Sequence, residues 1–223
     1  MPSPEIGIQT IYVDDSLLVL NKPAGLLSVP GRGEDKQDCL SARVQHLYPD
    51  ALIVHRLDMA TSGLLLMARG IAMQRALGKK FENREVNKRY TAVVDGCLEN
   101  WQASVDQVEA WGMIDLPIAA DWPRRPLRVI DSVLGKPSQT RWRALLFDPL
   151  THTTRLELEP VTGRSHQLRV HLQALGHAIV GDALYASPAV AAGAERLLLH
   201  ASQLAFVHPL NGQGMHHESV PPF

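Results

Sequence analysis

Two short apolar runs, ALIV at 51–54 and LLLMA at 64–68, bracket a polar stretch, HRLDMATSG, at 55–63. Runs this brief read as buried strands rather than helices. The chain must therefore leave one strand, accommodate an arginine, a carboxylate and two hydroxyls, and enter the next strand within that stretch. On extended backbone Arg56 and Asp58 point the same way, while Thr61, Ser62 and Gly63 supply hydroxyls and a tight turn. Burial disfavours an ionised carboxylate and a nearby guanidinium restores it, so an arginine such as Arg164 is the expected partner of Asp58. Taken alone, the pattern favours a structural Asp–Arg pair bracing a loop over a reactive carboxylate.

The surrounding periodicities set the fold class. IQTIYV, an Asp14-Asp15-Ser16 turn and LLVLN predict a hairpin near the N-terminus. KRYTAVV at 88–94, RWRALLF at 141–147 and TRLELEPV at 154–161 read as strands, the last alternating cleanly. Helices are predicted from Asp38 to Tyr48, over 71–83, and over 165–175, where Leu168, Leu172 and Leu175 share a face. Ser165 is placed to cap the last of these and Gly176 to end it. Strands outnumber helices, and clean alternation favours sheets with one solvated face. The expected class is mixed α+β, with a largely antiparallel central sheet and flanking helices.

The formal charge of −1 argues neither for nor against a polyanionic partner, but its distribution is uneven. Residues 1–121 carry 12 basic and 16 acidic side chains, against 10 and 7 in 122–223. Between 122 and 143, Arg124, Arg125, Arg128, Lys136, Arg141 and Arg143 face only Asp131, a local charge of +5 to which a polyanion can bind. A solvated basic surface is the other reading of the same stretch.

Several chemistries fail on spacing. GRGEDK at 31–36 lacks the third glycine of a dinucleotide loop, no segment matches GxxxxGK[ST], and GRSHQ at 163–167 lacks the closing glycine of a nucleophile elbow. His166 and His171 are separated by about 140° on a helix and cannot share an ion. Cys39 and Cys97 stand alone and far apart. Neither a cofactor nor a metal is expected. The first ten residues carry no basic cluster or apolar stretch, and no run approaches the ~18 apolar residues of a membrane span, so the cytoplasm is the expected location.

HRLDMATSG strongly resembles the catalytic motif of the RluA-type pseudouridine synthases, HRLD followed by two variable residues and TSG or TTG. Three further signatures agree in order: NKPAGLLSVPG at 21–31, KRYTAVV at 88–94 and VTGRSHQLRVHLQALGHAIVGDALY at 161–185. Met59-Ala60, DWPRRP at 121–126, GKPSQT at 135–140 and YASP at 185–188 resemble the dual-specificity branch, although RRPLR at 124–128 departs from its pattern. The resemblance runs from about Tyr12 to the end. It implies an N-terminal extension at 1–11 and one catalytic domain at 12–223, without the S4-like domain of longer relatives. The implied fold has two similar halves around a central cleft.

The resemblance also implies an isomerase that turns uridine into pseudouridine without cofactor or metal, acting on stem-loops of 23S ribosomal RNA and tRNA; a monomer is expected. Asp58 is then the essential aspartate. It can add to an electrophilic carbon, stabilise positive charge at C1′, or take a proton from the ribose. Arg164 is implied to pair with it, Tyr90 to stack on the uracil and help remove the C5 proton, and Leu168 to line the base pocket. Arg56 is implied to fill the space left when the nucleotide leaves its stack, and Arg124, Arg125 and Arg128 are candidates for RNA contact. The competing reading is an RNA-binding or RNA-chaperone module with a silent site, which would not require Asp58, Tyr90 and Arg164 together.

Overall fold

The computed structural model describes residues 2–3, 7–98 and 111–223. Its elements are β1 (Pro2–Ser3), β2 (Ile8–Val13), β3 (Leu17–Lys22), α1 (Leu40–Leu47), β4 (Ala51–Ile53), β5 (Ser62–Arg69), α2 (Ile71–Glu82), β6 (Asn87–Asp95), β7 (Gly112–Asp115), β8 (Ile118–Ala120), β9 (Arg128–Ile130), β10 (Gln139–Asp148), β11 (Thr153–Pro160), α3 (Gln167–Ala174), α4 (Pro188–Ala191), β12 (Leu199–Val207) and β13 (Gly214–Glu218). They fall into two compact units, the first Met1–Lys88 with His200–Pro222 and the second Arg89–Leu199 with Phe223. The class is mixed α+β with a largely antiparallel sheet, as the alternation implied. None of the described helices is long and apolar enough to cross a membrane.

In the first unit the strand order is β1-β2-β3-β5-β12, with β4 on β5 and β13 on β12. The β2–β3 turn is closed by Asp14, whose carboxylate accepts hydrogen bonds from the Ser16 and Leu17 amides and the Tyr12 hydroxyl. Strands β3 and β5 lack polar alternation because both of their faces are covered. Leu17, Val19, Leu64, Leu66 and Ala68 pack with Met73 and Leu77 of α2 and with Leu204, Phe206 and Met215 of the C-terminal strands. Leucine side chains at this depth contribute roughly 1.5–3 kcal/mol each.

The second unit orders its strands β6-β11-β10-β7, all antiparallel, with β8–β9 as a separate hairpin. The alternation of TRLELEPV becomes two faces. Leu156 and Leu158 point into the core, while Glu157 and Glu159 pair across strands with Arg143 and Arg141. Helix α3 ends at a glycine as expected: Gly176, at φ +85°, donates to Gln173 O and His177 donates to Leu172 O. Its start corrects the expectation for Ser165. His166, at φ 58°, takes the cap position and makes no side-chain cap bond. Ser165 stays exposed, and the Arg164 amide in the preceding turn donates to Gln167 Oε1 at 3.0 Å.

Strands β5 and β12 run parallel, with Ser62 opposite His200 and Gly63 opposite Ala201. Gly63 has φ +112°, and a Cβ there would lie 2.3 Å from Ala201 O and 2.5 Å from Ala201 N. Both contacts are to backbone, which cannot swing aside. Gly63→Ala is expected to destabilise the protein by about 2–4 kcal/mol, combining left-handed strain with overpacking. Urea unfolding measures this, and a loss under about 0.5 kcal/mol, the size of an ordinary surface change, would contradict the close approach.

Candidate active site

The HRLDMATSG loop is gripped on both sides of Asp58 by the segment that follows β3. Before it, the Ser28 hydroxyl donates to Leu57 O at 2.7 Å and accepts from Leu57 N at 3.1 Å, and the Leu57 side chain is buried. After it, Met59 O accepts from the Gly25 amide at 2.9 Å and from Lys22 Nζ at 3.1 Å. Thr61 N closes the turn onto Asp58 O at 3.1 Å. The NKPAGLLS segment is therefore the mould in which the Asp58 loop is cast. Burial alternates accordingly: Arg56 exposed, Leu57 buried, Asp58 half-buried, Met59 exposed.

Lys22 carries this arrangement and is not among the candidates that the sequence pattern offers. Its side chain has no exposed surface, and its ammonium donates to Pro23 O at 2.8 Å, Leu26 O at 2.7 Å and Met59 O at 3.1 Å. A charge removed from water needs such partners. The sequence signal was available, since a lysine directly after the apolar run LLVLN has a strand on one side and Pro23 on the other.

His55 and Ser62 anchor the two ends of the loop. His55 Nε2 accepts from the Leu66 amide at 2.9 Å, and its ring stacks on Phe81 at 4.6 Å. Although the residue retains some exposure, burial first and the Lys88 ammonium second push its pKa down to about 3, so the ring is neutral. Ser62 Oγ lies 2.8 Å from His200 Nδ1, and His200 Nε2 lies 3.0 Å from Ser219 Oγ, all three residues being buried.

The second unit holds the other candidates. Tyr90 lies on β6 opposite Leu158, half-buried, and Leu168 is buried on α3. Arg164 is exposed at the turn before α3, where its Nε reaches Pro137 O at 3.4 Å. That turn is fixed by Gln167, whose Oε1 accepts from Thr162 Oγ1 as well as from the Arg164 amide. Its Nε2 donates to Gln139 O and Thr140 Oγ1. One turn on, Arg169 is buried against Asp182 at 2.6 Å. His166 Nδ1 contacts the Tyr185 hydroxyl and His171 is held between Thr140 Oγ1 and Leu116 O, so each histidine has its own partners. Among the described residues no group of three or more His, Cys, Asp or Glu is placed to hold a metal ion.

Cross-strand pairing reduces the basic excess read from 122–143. Arg141 is met by Glu159, Arg143 by Glu157 and Arg124 by Asp121, one residue outside the window. Arg125 lies over the Trp122 ring, and Arg128, on β9, has a buried Nε without a hydrogen-bond partner among the described residues. Arg125, Arg128 and Lys136 have no carboxylate partner among the described residues.

A family model described as RNA pseudouridylate synthase matches residues 16–174. The chain is 46% identical over 214 residues to the dual-specificity RNA pseudouridine synthase RluA of Escherichia coli (strain K12), covering 96% of this chain and 93% of that one. It is 48% identical over 211 residues to the protein of the same name from Vibrio parahaemolyticus, covering 93% and 81%. Among solved structures, human RNA Pseudouridylate Synthase Domain Containing 1 matches with a TM-score of 0.76 at 28% identity, over 100% of this chain and 87% of that one.

The His55 environment has a consequence for stability. Because its native pKa lies below the ordinary 6.5, protons bind preferentially to the unfolded chain. The stability is fully present above pH 6.5 and is lost as pH falls toward 3. In His55→Gln the amide oxygen can accept from Leu66 N but does not titrate. Below about pH 6 the wild type should therefore lose stability faster than His55→Gln, by up to about 1.4 kcal/mol per pH unit. Urea unfolding at a series of pH values checks this, and parallel pH profiles would contradict a neutral, shielded His55.

Proposed function

The chain belongs to the RNA pseudouridylate synthase family, and on that premise we propose that it acts on uridines in stem-loops of 23S ribosomal RNA and of tRNA. The family's reaction is an isomerisation. The N1–C1′ bond breaks, the uracil turns, C5 joins C1′, and the proton lost from C5 is balanced by one gained at N1. Nothing is oxidised or reduced, and the family needs neither cofactor nor metal. The whole demand falls on side chains that hold the ribose and base and move a proton.

The observation that carries this reading is the double grip on the Asp58 loop, at Leu57 by Ser28 and at Met59 by Gly25 and Lys22. A reacting carboxylate has to be held within a fraction of an ångström, since a misplacement of ~1 Å costs about a hundredfold in rate. A purely structural Asp–Arg brace would not need fixed backbone on both sides. Asp58 acts at the sugar or at the base, as nucleophile, charge stabiliser or base toward the ribose.

From the family resemblance we assign Arg164 to orient the Asp58 carboxylate, Tyr90 to stack on the uracil and assist loss of the C5 proton, and Leu168 to line the base pocket. Arg56 supports the extruded nucleotide. It is exposed, and no hydrogen bond or ion pair engages its guanidinium among the described residues, leaving its planar donors available to RNA. Arg124, Arg125 and Arg128 meet phosphates of the stem-loop. The catalytic domain spans 12–223 and works as a monomer in the cytoplasm.

Asp58→Asn tests this assignment, because it removes the ionisable group with almost no change in volume. Its single-turnover rate of pseudouridine formation on a tRNA anticodon stem-loop should fall by about 10⁴-fold or to background. RNA affinity and melting temperature should be preserved. Substantial turnover by pure Asp58→Asn protein would remove Asp58 from its role, whereas wild-type protein that binds the RNA without converting it would leave the silent RNA-binding module.

A further inference from the structure

We infer that the β8–β9 turn presents Trp122 as a stacking platform for an unpaired base of the RNA stem-loop, with Arg125 as its cationic backing. Trp122 is 69% exposed, unusual for a ring of this size. The Arg125 guanidinium carbon lies 3.6 Å from the ring centroid, a distance reachable only from above the face. With one face so covered, exposure of this extent leaves the opposite face open to solvent. A base that stacks there completes a sandwich with a cation on the far side, and stacking is the way unpaired bases are held by proteins that bind single strands.

The turn is built to hold this geometry. Asp121 is buried, and its carboxylate accepts from the Arg124 amide at 3.3 Å, from Arg124 Nε at 2.7 Å and from Arg124 Nη2 at 2.6 Å. The backbone closes across it through Asp121 N to Leu127 O at 3.1 Å and Leu127 N to Arg124 O at 3.0 Å. A platform fixed in advance loses little freedom on binding. Asp121 is also satisfied by Arg124, so Arg125 keeps its positive charge facing outward beside the ring. Aromatic surface with uncompensated arginine is complementary to nucleic acid, and that charge selects RNA over an apolar protein partner.

The inference rests on the RNA-modifying role proposed above and adds a residue that governs which loops are taken. The test compares wild type, Trp122→Phe and Trp122→Ala on a tRNA anticodon stem-loop and on versions carrying an abasic site at each unpaired position in turn. Trp122→Ala should raise KM about tenfold, with kcat within about twofold and melting temperature unchanged. Trp122→Phe, which keeps a stacking face, should recover most of the loss. One abasic position should raise KM for the wild type but not further for Trp122→Ala, identifying the stacked base. Equal KM for all three proteins, or losses from Trp122→Ala and the abasic site that simply multiply at every position, would overturn the platform. Wild-type protein that converts none of these RNAs would instead fail the underlying functional reading.

Discussion

A lysine ammonium with no access to water must be met by acceptors, and the carbonyls that meet Lys22 tie together segments far apart in the chain. Pro23 and Leu26 belong to the segment leaving β3, and Met59 follows Asp58. Removing the cation would take its donor from Pro23 O and Leu26 O, at about 1–3 kcal/mol for each carbonyl left unpaired, and would leave Met59 O to the Gly25 amide alone. The position of Asp58 thus follows from a desolvated charge at the end of the neighbouring strand β3, and the NKPAGLLS and HRLDMATSG segments work as one structural object.

The remainder of the first unit serves that object. Strands β3 and β5 are buried on both faces, so the backbone leaving them starts from fixed points. Gly63 lets β12 approach within van der Waals reach of the end of the loop. His55 and Ser62 secure the loop's two ends by side-chain bonds that leave no hydrogen-bonding nitrogen of His200 unused. The second unit follows the same logic with different groups. Gln167 spends both ends of its amide on the turn that carries Arg164, and the buried Arg169–Asp182 pair fixes the following helix. Buried, hydrogen-bonded polar groups of this kind are the usual means of holding exposed functional side chains in register.

Much of the frame was legible in the sequence because it is written in periodicity. The hairpin at Asp14, the strands at 88–94, 141–147 and 154–161, the helices over 71–82 and 167–174, and the stop at Gly176 all follow from local pattern. Strands β12 and β13 were not read, since LHASQLAFV is buried unevenly on both faces and gives no clean alternation. The cap of α3 departs from the local pattern because left-handed His166 takes the cap position and Ser165 stays exposed. The charge of 122–143 is partly offset from outside the window, because Glu159, and Glu157 shared with Arg89, lie across a strand pair that no sequence window spans. The roles proposed for Asp58, Arg56, Tyr90 and Arg164 come from motif resemblance. The role of Lys22 was not legible, because it depends on a contact across 37 positions of chain.

The central claim is that this fold exists to isomerise particular uridines, and it is tested most directly in cells. Chemical mapping of pseudouridine should be carried out on 23S ribosomal RNA and tRNA from cells lacking this protein, and again after the wild-type gene is restored. The account predicts that discrete pseudouridines in a 23S stem-loop and in tRNA anticodon stem-loops disappear without the protein and return with it. Identical maps in its presence and absence would contradict the account.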